Sequence, residues 1–212
     1  MEIAILLYEG VTALDAVGPY EVLHMAPDAQ VKFVATRPGL VRTDFGMLNL
    51  NADYALADVP NPDILLVPGA PDPGAAMGDE AVLAWLRDAH ATTTWTTSVC
   101  TGALVLGAAG ILVGVRATTH WMALDALGQF GAQPTSERVV RDGKIMTAAG
   151  VSSGIDMALS LVAEQWDTPT AQEIQLIIEY DPEPPLQAGS PDKAPAAVRE
   201  GVIAKYGAML GG

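Results

Sequence analysis

Trp95-Thr96-Thr97-Ser98-Val99-Cys100-Thr101-Gly102, running on into Ala103-Leu104-Val105-Leu106-Gly107-Ala108-Ala109-Gly110, decides how this chain is read. The first five residues form a short, uncharged, apolar run bounded by small residues, the pattern of a buried strand. The small apolar residues after Gly102 open a helix. Cys100 therefore falls on a sharp strand-to-helix turn, where small neighbours let the two elements pack closely, as in a nucleophile elbow. A helix amino terminus presents unpaired N–H groups and a partial positive charge, and both favour thiolate over thiol. The alternative is a cysteine that merely packs, since Cys is among the most buried residue types. Its position at the turn, followed by Thr-Gly, favours the reactive reading.

Outward from this turn, further apolar runs alternate with helical patterns. Ile3–Tyr8, Val31–Thr36 and Asp63–Val67 read as strands, and with Trp95–Val99 they suggest a parallel sheet covered on both faces. Asp79–His90, Ser153–Gln165, Ala171–Ile178 and Ala196–Leu210 carry apolar residues at helical spacing. Leu40–Leu56 alternates around Asp44–Gly46, and Arg138–Thr147 reads as a hairpin turning at Asp142-Gly143. Asp181–Pro195, rich in Pro and Gly, reads as an ordered surface loop. The order predicts a single α/β domain over residues 1–212, a doubly wound, mostly parallel sheet sandwiched by helices. Ligands of such sheets bind beyond the carboxyl ends of the strands. Four loops qualify: Glu9–Asp15, Pro68–Pro73, Cys100–Gly102 and the turn at Gly150–Ser152.

Composition removes several function classes. Among 212 residues, 11 Lys and Arg face 25 Asp and Glu, a net charge of −14 at neutral pH. Phosphate binding needs a basic footprint, so neither nucleic acid nor an anionic membrane is an expected partner. The nearly uncharged run Gly102–Val115 is too short to span a bilayer and is broken by glycines. The amino-terminal MEIAILLYEG lacks a basic n-region and reads as a first strand rather than a signal peptide. Cys100 is the only cysteine, which suits a reducing compartment. A cytoplasmic protein acting on a small molecule fits best.

A reactive thiol needs an acid/base partner and donors for a developing anion. Asp15, in Val11-Thr12-Ala13-Leu14-Asp15-Ala16-Val17-Gly18-Pro19, is flanked by apolar residues, which would raise its pKa and make it a usable proton donor. A helix N-cap is the alternative role. Glu21 is a weaker candidate and reads as solvated. Pro68-Gly69-Ala70-Pro71 offers backbone N–H groups, or simply a Pro-Gly turn. His24 and His90 sit on helix surfaces or ends, and His120 reads as a core residue supporting the site. One Cys and three scattered His show no metal-ligand spacing, so no metal is expected. The chain has neither G-x-G-x-x-G nor a Walker sequence, so no nucleotide cofactor is expected. Trp85, Trp95, Trp121 and Trp166 are spread along the chain and read as core or interface.

Taken together, these stretches resemble the ThiJ/PfpI superfamily and, within it, its isonitrile hydratase branch. The resemblance is carried by Leu14-Asp15 through Gly18-Pro19 with Glu21-Val22-Leu23, and by Thr97–Gly102 with Leu104–Gly110. Arg116–Trp121, Glu137–Gly143, Gly154-Ile155-Asp156 and the late segment from Glu179-Tyr180-Asp181-Pro182 to Ala188-Gly189-Ser190-Pro191 add to it. It implies a flavodoxin-like, class I glutamine amidotransferase-like fold, a homodimer and no cofactor. Cys100 would be the nucleophile. Asp15 would stand where many members carry glutamate, and aspartate there is the hydratase-like choice. Thr101 replaces the histidine that follows the cysteine in protease-like branches, and its hydroxyl or N–H would orient Asp15 or the adduct. Gly69, Ala70 and Val151 would line the substrate pocket, with Ala70 in place of the second glycine of a Pro-Gly-Gly turn.

The implied activity is that of a cofactor-independent, cysteine-dependent hydro-lyase, adding water to an isonitrile to give an N-formamide through a Cys100 thioimidate. Two alternatives stay open: another Cys-dependent hydratase or amidase reaction on this fold, and a redox- or ligand-sensing module without turnover. The same motifs, including Thr118-Thr119-His120-Trp121, occur in sensing domains fused to AraC-type regulators. No helix-turn-helix segment follows in this sequence, so direct DNA binding is not expected.

Overall fold

Ile64-Leu65-Leu66-Val67 is buried along its whole length, and so is Trp95-Thr96-Thr97-Ser98-Val99. Strands with no solvent face must be covered on both sides, and that requirement organises the molecule. The computed structural model describes residues 1–207. The chain runs β1 (Glu2–Leu6), α1 (Ala13–Leu23), β2 (Gln30–Ala35), β3 (Gly39–Arg42), β4 (Asn49–Ala52), β5 (Tyr54–Ala55), β6 (Ile64–Val67) and α2 (Gly74–Met77). It continues through α3 (Glu80–Thr92), β7 (Trp95–Val99), α4 (Gly102–Ala108), β8 (Arg116–Ala117), β9 (Gln133–Pro134), β10 (Val139–Asp142) and β11 (Ile145–Ala148). The helices α5 (Ser153–Gln165), α6 (Thr168–Ile177) and α7 (Ala196–Tyr206) complete it.

The main sheet has the order β10-β11-β7-β6-β1-β2-β5. Every pairing is parallel except β10 with β11. Strand order reverses at β1: the chain leaves β1 toward β2 on one side and later returns through β6 to β7 on the other. The helices α1 and α5 pack together, as do α3 and α4. This is the doubly wound sandwich the sequence predicts, and its switch point lies between the carboxyl ends of β1 and β6.

Close approach holds the crossing at the elbow. A Cβ on Gly102 would stand 2.0 Å from the carbonyl oxygen of Val67, so only glycine lets α4 start against the end of β6.

Several boundaries differ from expectation for local reasons. Asp142 still pairs with Ile145, so the tight turn is Gly143-Lys144, with Gly143 at φ 59°, and not Asp142-Gly143. The Asp142 carboxylate is also engaged, accepting the Arg116 N–H at 2.9 Å. The antiparallel pairing expected across Leu40–Leu56 ends at Ala52, after which Tyr54–Ala55 joins the main sheet parallel to β2. Helix α6 begins at Thr168, ahead of Ala171, because the Asp167 side chain accepts the Thr170 N–H at 2.8 Å and caps it. A 3₁₀ stretch, Trp121–Phe130, was not anticipated. The last helix is described to Tyr206, and the remainder expected as far as Leu210 lies outside the described residues. Among the described residues no helix is long and apolar enough to cross a membrane.

Candidate active site

The carboxyl ends of β1, β6, β7 and β11 converge on Cys100. The residue sits between β7 and α4 with φ at +57°, a left-handed conformation that costs a non-glycine residue about 1–2 kcal/mol. Neighbours hold it there. Its N–H is shared between the carbonyls of Ala148 at 3.1 Å and Ala149 at 2.8 Å. Its carbonyl accepts the Thr119 hydroxyl at 2.7 Å. The thiol is 3% exposed.

Asp15 is fully buried. It lies in the first turn of α1 rather than in a loop, and Thr12 occupies the N-cap position, so the N-cap alternative for Asp15 falls. Its Oδ2 accepts the Gly69 N–H at 3.0 Å, while Oδ1 is buried without a hydrogen-bond partner. Burial pushes its pKa up to about 7, with Asp44 adding to the rise and the Gly69 N–H and Cys100 thiol opposing it. The other acid candidate of this helix, Glu21, is exposed, as expected.

Burial also pushes the Cys100 thiol well above its ordinary range, and the Asp15 charge adds to this. The Thr101 N–H works the other way but does not prevail. The expectation of a thiolate ionised by the helix amino terminus is thus corrected: desolvation and a neighbouring carboxylate outweigh that dipole. The pair titrates together, and above about pH 7 it holds one proton, on sulfur, facing a carboxylate.

The loop Gly69-Ala70 is committed differently from expectation. The Gly69 N–H serves Asp15, and the Ala70 N–H is bonded to the Thr101 hydroxyl at 2.8 Å. Neither is a free donor for an anion. The Thr101 hydroxyl in turn donates to the Ala70 carbonyl at 2.6 Å, so it secures the loop whose Gly69 N–H holds Asp15. A Cβ on Gly69 would lie 2.6 Å from the Thr101 nitrogen and 2.9 Å from Asp15 Oδ2, so glycine is obligatory between the two. The Tyr8 hydroxyl braces the loop from below, donating to the Pro68 carbonyl at 2.9 Å.

A cavity of about 410 Å³ opens above the thiol. Cys100, Ala70 and Val151 form its floor and side; Gly69 lies behind them and does not line it. Sequence reasoning did not find the rest of the wall: Thr12, Asp44 and Phe45 on one side, His120, Trp121 and Met122 on another, and Val202 and Tyr206 from α7. Burial lowers the His120 pKa, and its Nδ1 accepts the Met122 N–H at 3.4 Å. The imidazole is therefore neutral with its hydrogen on Nε2. The only available signal was its place in Thr118-Thr119-His120-Trp121, one residue from the threonine that holds Cys100. Among the described residues no group of His, Cys, Asp and Glu could hold a metal ion.

Comparison with known proteins places the fold in a family. The DJ-1/PfpI family pattern matches residues 1–164. An isonitrile hydratase from Pseudomonas putida is 46% identical over 198 residues, covering 93% of this chain and 86% of that protein. An HTH-type transcriptional regulator, CdhR of Pseudomonas aeruginosa, is 35% identical over 119 residues, covering 55% of this chain and 35% of the regulator. The crystal structure of a ThiJ/PfpI family protein from Pseudomonas syringae superposes with a TM-score of 0.93 at 41% identity, covering 100% of this chain and 90% of that one. With its elbow cysteine, its sheet order and these relatives, the chain belongs to the DJ-1/PfpI family.

Proposed function

We propose that this protein hydrates an organic isonitrile, R–N≡C, to the N-formamide, with Cys100 as nucleophile and Asp15 as proton carrier. The observation that carries the reading is a buried thiol on the wall of an apolar cavity with a fully buried carboxyl behind it, close enough to act on it. Similarity to a hydratase across 93% of the chain supports it. The terminal carbon of an isonitrile must gain both a proton and a nucleophile, and a thiol and carboxylate holding one proton between them offer both.

In the first half, Asp15 takes the thiol proton as sulfur approaches and passes it to the isonitrile carbon. A C–S and a C–H bond form, leaving the thioimidate R–N=CH–S and a carboxylate. In the second half, Asp15 draws a proton from water as the water oxygen adds to the same carbon, and hands that proton to the nitrogen. The adduct R–NH–CH(OH)–S then collapses: the C–S bond breaks as Asp15 passes the hydroxyl proton to sulfur, and R–NH–CHO leaves. Thr101 keeps Gly69 and Ala70 in place, so Asp15 stays aimed. His120 lines the same cavity, and its Nε2–H would serve the developing oxygen as a donor. The scheme needs no cofactor. A homodimer in the cytoplasm, as the sequence resemblance implies, belongs to this proposal.

Loss of the isonitrile absorbance with purified protein tests the reading. Turnover equal to wild type in Cys100→Ala would end the covalent route.

A further inference from the structure

The walls of the cavity carry one charged side chain, and that charge is fixed. Asp44 is half-buried on the β3–β4 turn. Its Oδ2 accepts the Thr12 hydroxyl at 3.1 Å, its Oδ1 accepts the Phe45 N–H at 3.0 Å, and its own N–H bonds the Val11 carbonyl at 3.1 Å. Thr12 is tied in turn to the floor, its N–H donating to the Gly69 carbonyl at 2.8 Å. These bonds hold the carboxylate against the wall. Asp15 lies close enough to feel it.

No cation answers these two acids within the described wall. Lys205 sits over the ring of Tyr206, 5.0 Å from its centroid, and the Arg42 side chain runs beside Gly46; neither lines the cavity. His120 is neutral. A carboxylate on the substrate would be desolvated opposite Asp44 with no partner, which is costly. A protonated amine would gain a charge-assisted bond to an oxygen already positioned, with the rings of Trp121 and Tyr206 offering electron-rich faces nearby.

Building on the hydratase reading, we propose that Asp44 makes this cavity a charge filter: it admits apolar isonitriles that are neutral or bear a protonated amine, and turns away those bearing a carboxylate. Asp44 is thus a specificity-determining residue for the side chain R and takes no part in the bond changes at carbon.

The test uses three short isonitriles that differ in charge: isocyanoacetate, its ethyl ester and a dialkylaminoethyl isonitrile. In wild type, kcat/KM should rank amine above ester above carboxylate, with about tenfold per step, the worth of one charge-assisted hydrogen bond. In Asp44→Asn, and in Asp44→Ser as a second variant, the three values should draw within about threefold of each other. A carboxylate substrate handled as well as the ester by wild type overturns the proposal, as does a ranking that survives both substitutions. If none of the three is turned over, the hydratase reading has failed. The filter is then read by calorimetric binding of the three corresponding N-formamides: the same ranking, lost in Asp44→Asn, supports it, and equal affinities overturn it.

Discussion

The floor of the cavity and its rim are built on opposite principles. At the floor, Asp15 is 0% and Cys100 3% exposed, and most polar groups there have a partner from another element. At the rim, Phe45 is 79% exposed, Tyr206 37%, and α7 buries none of its residues. The floor is over-determined, and the unpartnered Oδ1 of Asp15 stands out against it. The rim is exposed and carries few such ties. On the proposed function, the difference would divide the work: bond changes at the floor, choice of R at the rim.

The sharpest way to break this division is at the floor. Cys100→Ala should reduce isonitrile turnover to background, and Asp15→Asn should lower it about 10²–10⁴-fold. Asp15→Asn should also move stability the other way. A carboxyl raised from 3.8 to about 7 by folding stabilises the native state fully below its unfolded pKa and loses that contribution as pH rises through about 7. The ionised carboxyl therefore costs up to roughly 4 kcal/mol at pH 8, a burden the asparagine variant lacks. Thermal melts should show Asp15→Asn above wild type at pH 8, with the gap closing toward pH 4. Equal melting temperatures at pH 8 would mean that Asp15 is not desolvated as described.

The pH profile is the next test. The working pair holds one proton, so kcat/KM should rise through about 7 as Asp15 ionises, and fall only above the ordinary thiol range. A profile falling from pH 6 to 8 would mean that the fully protonated pair is the active one. Smaller effects follow from the loop. Thr101→Val removes both bonds to Ala70 and should cost about 1–3 kcal/mol in stability, with a lower kcat that Thr101→Ser restores. The rim should yield least. Tyr206→Ala or Val202→Ala should raise KM several-fold for bulky apolar isonitriles and change kcat less. A large kcat loss from either would erase the contrast between floor and rim.

How much of this was legible in the sequence follows the same divide. Trp95–Val99 and Ser153–Gln165 were readable to the residue because continuous apolar runs and helical stripes are local patterns. Cys100 was readable because the turn announces itself within eight residues, and Asp15 because a carboxylate among apolar neighbours is anomalous. The partner of the Thr101 hydroxyl was not, since Ala70 is 31 positions away and nothing local marks the pairing. Nor was the state of the thiol: a helix start is visible in sequence, while the burial that overrides it is set by β1, β6 and β11 together. Asp44, Trp121 and Tyr206 reach one cavity from three separate parts of the chain, and no motif joins them.

The forked amide of Cys100 has a consequence for tolerance. Its two acceptors are Ala148, the last residue of β11, and Ala149 just beyond it on the way to Val151, and the Ala149 N–H is itself anchored on the Arg138 carbonyl. An oversized guest that presses Val151 outward therefore tugs on the peptide beneath the sulfur. If the proposed function holds, misfit is transmitted to the reacting atom, and bulk would be penalised in the speed of the chemical step as well as in residence.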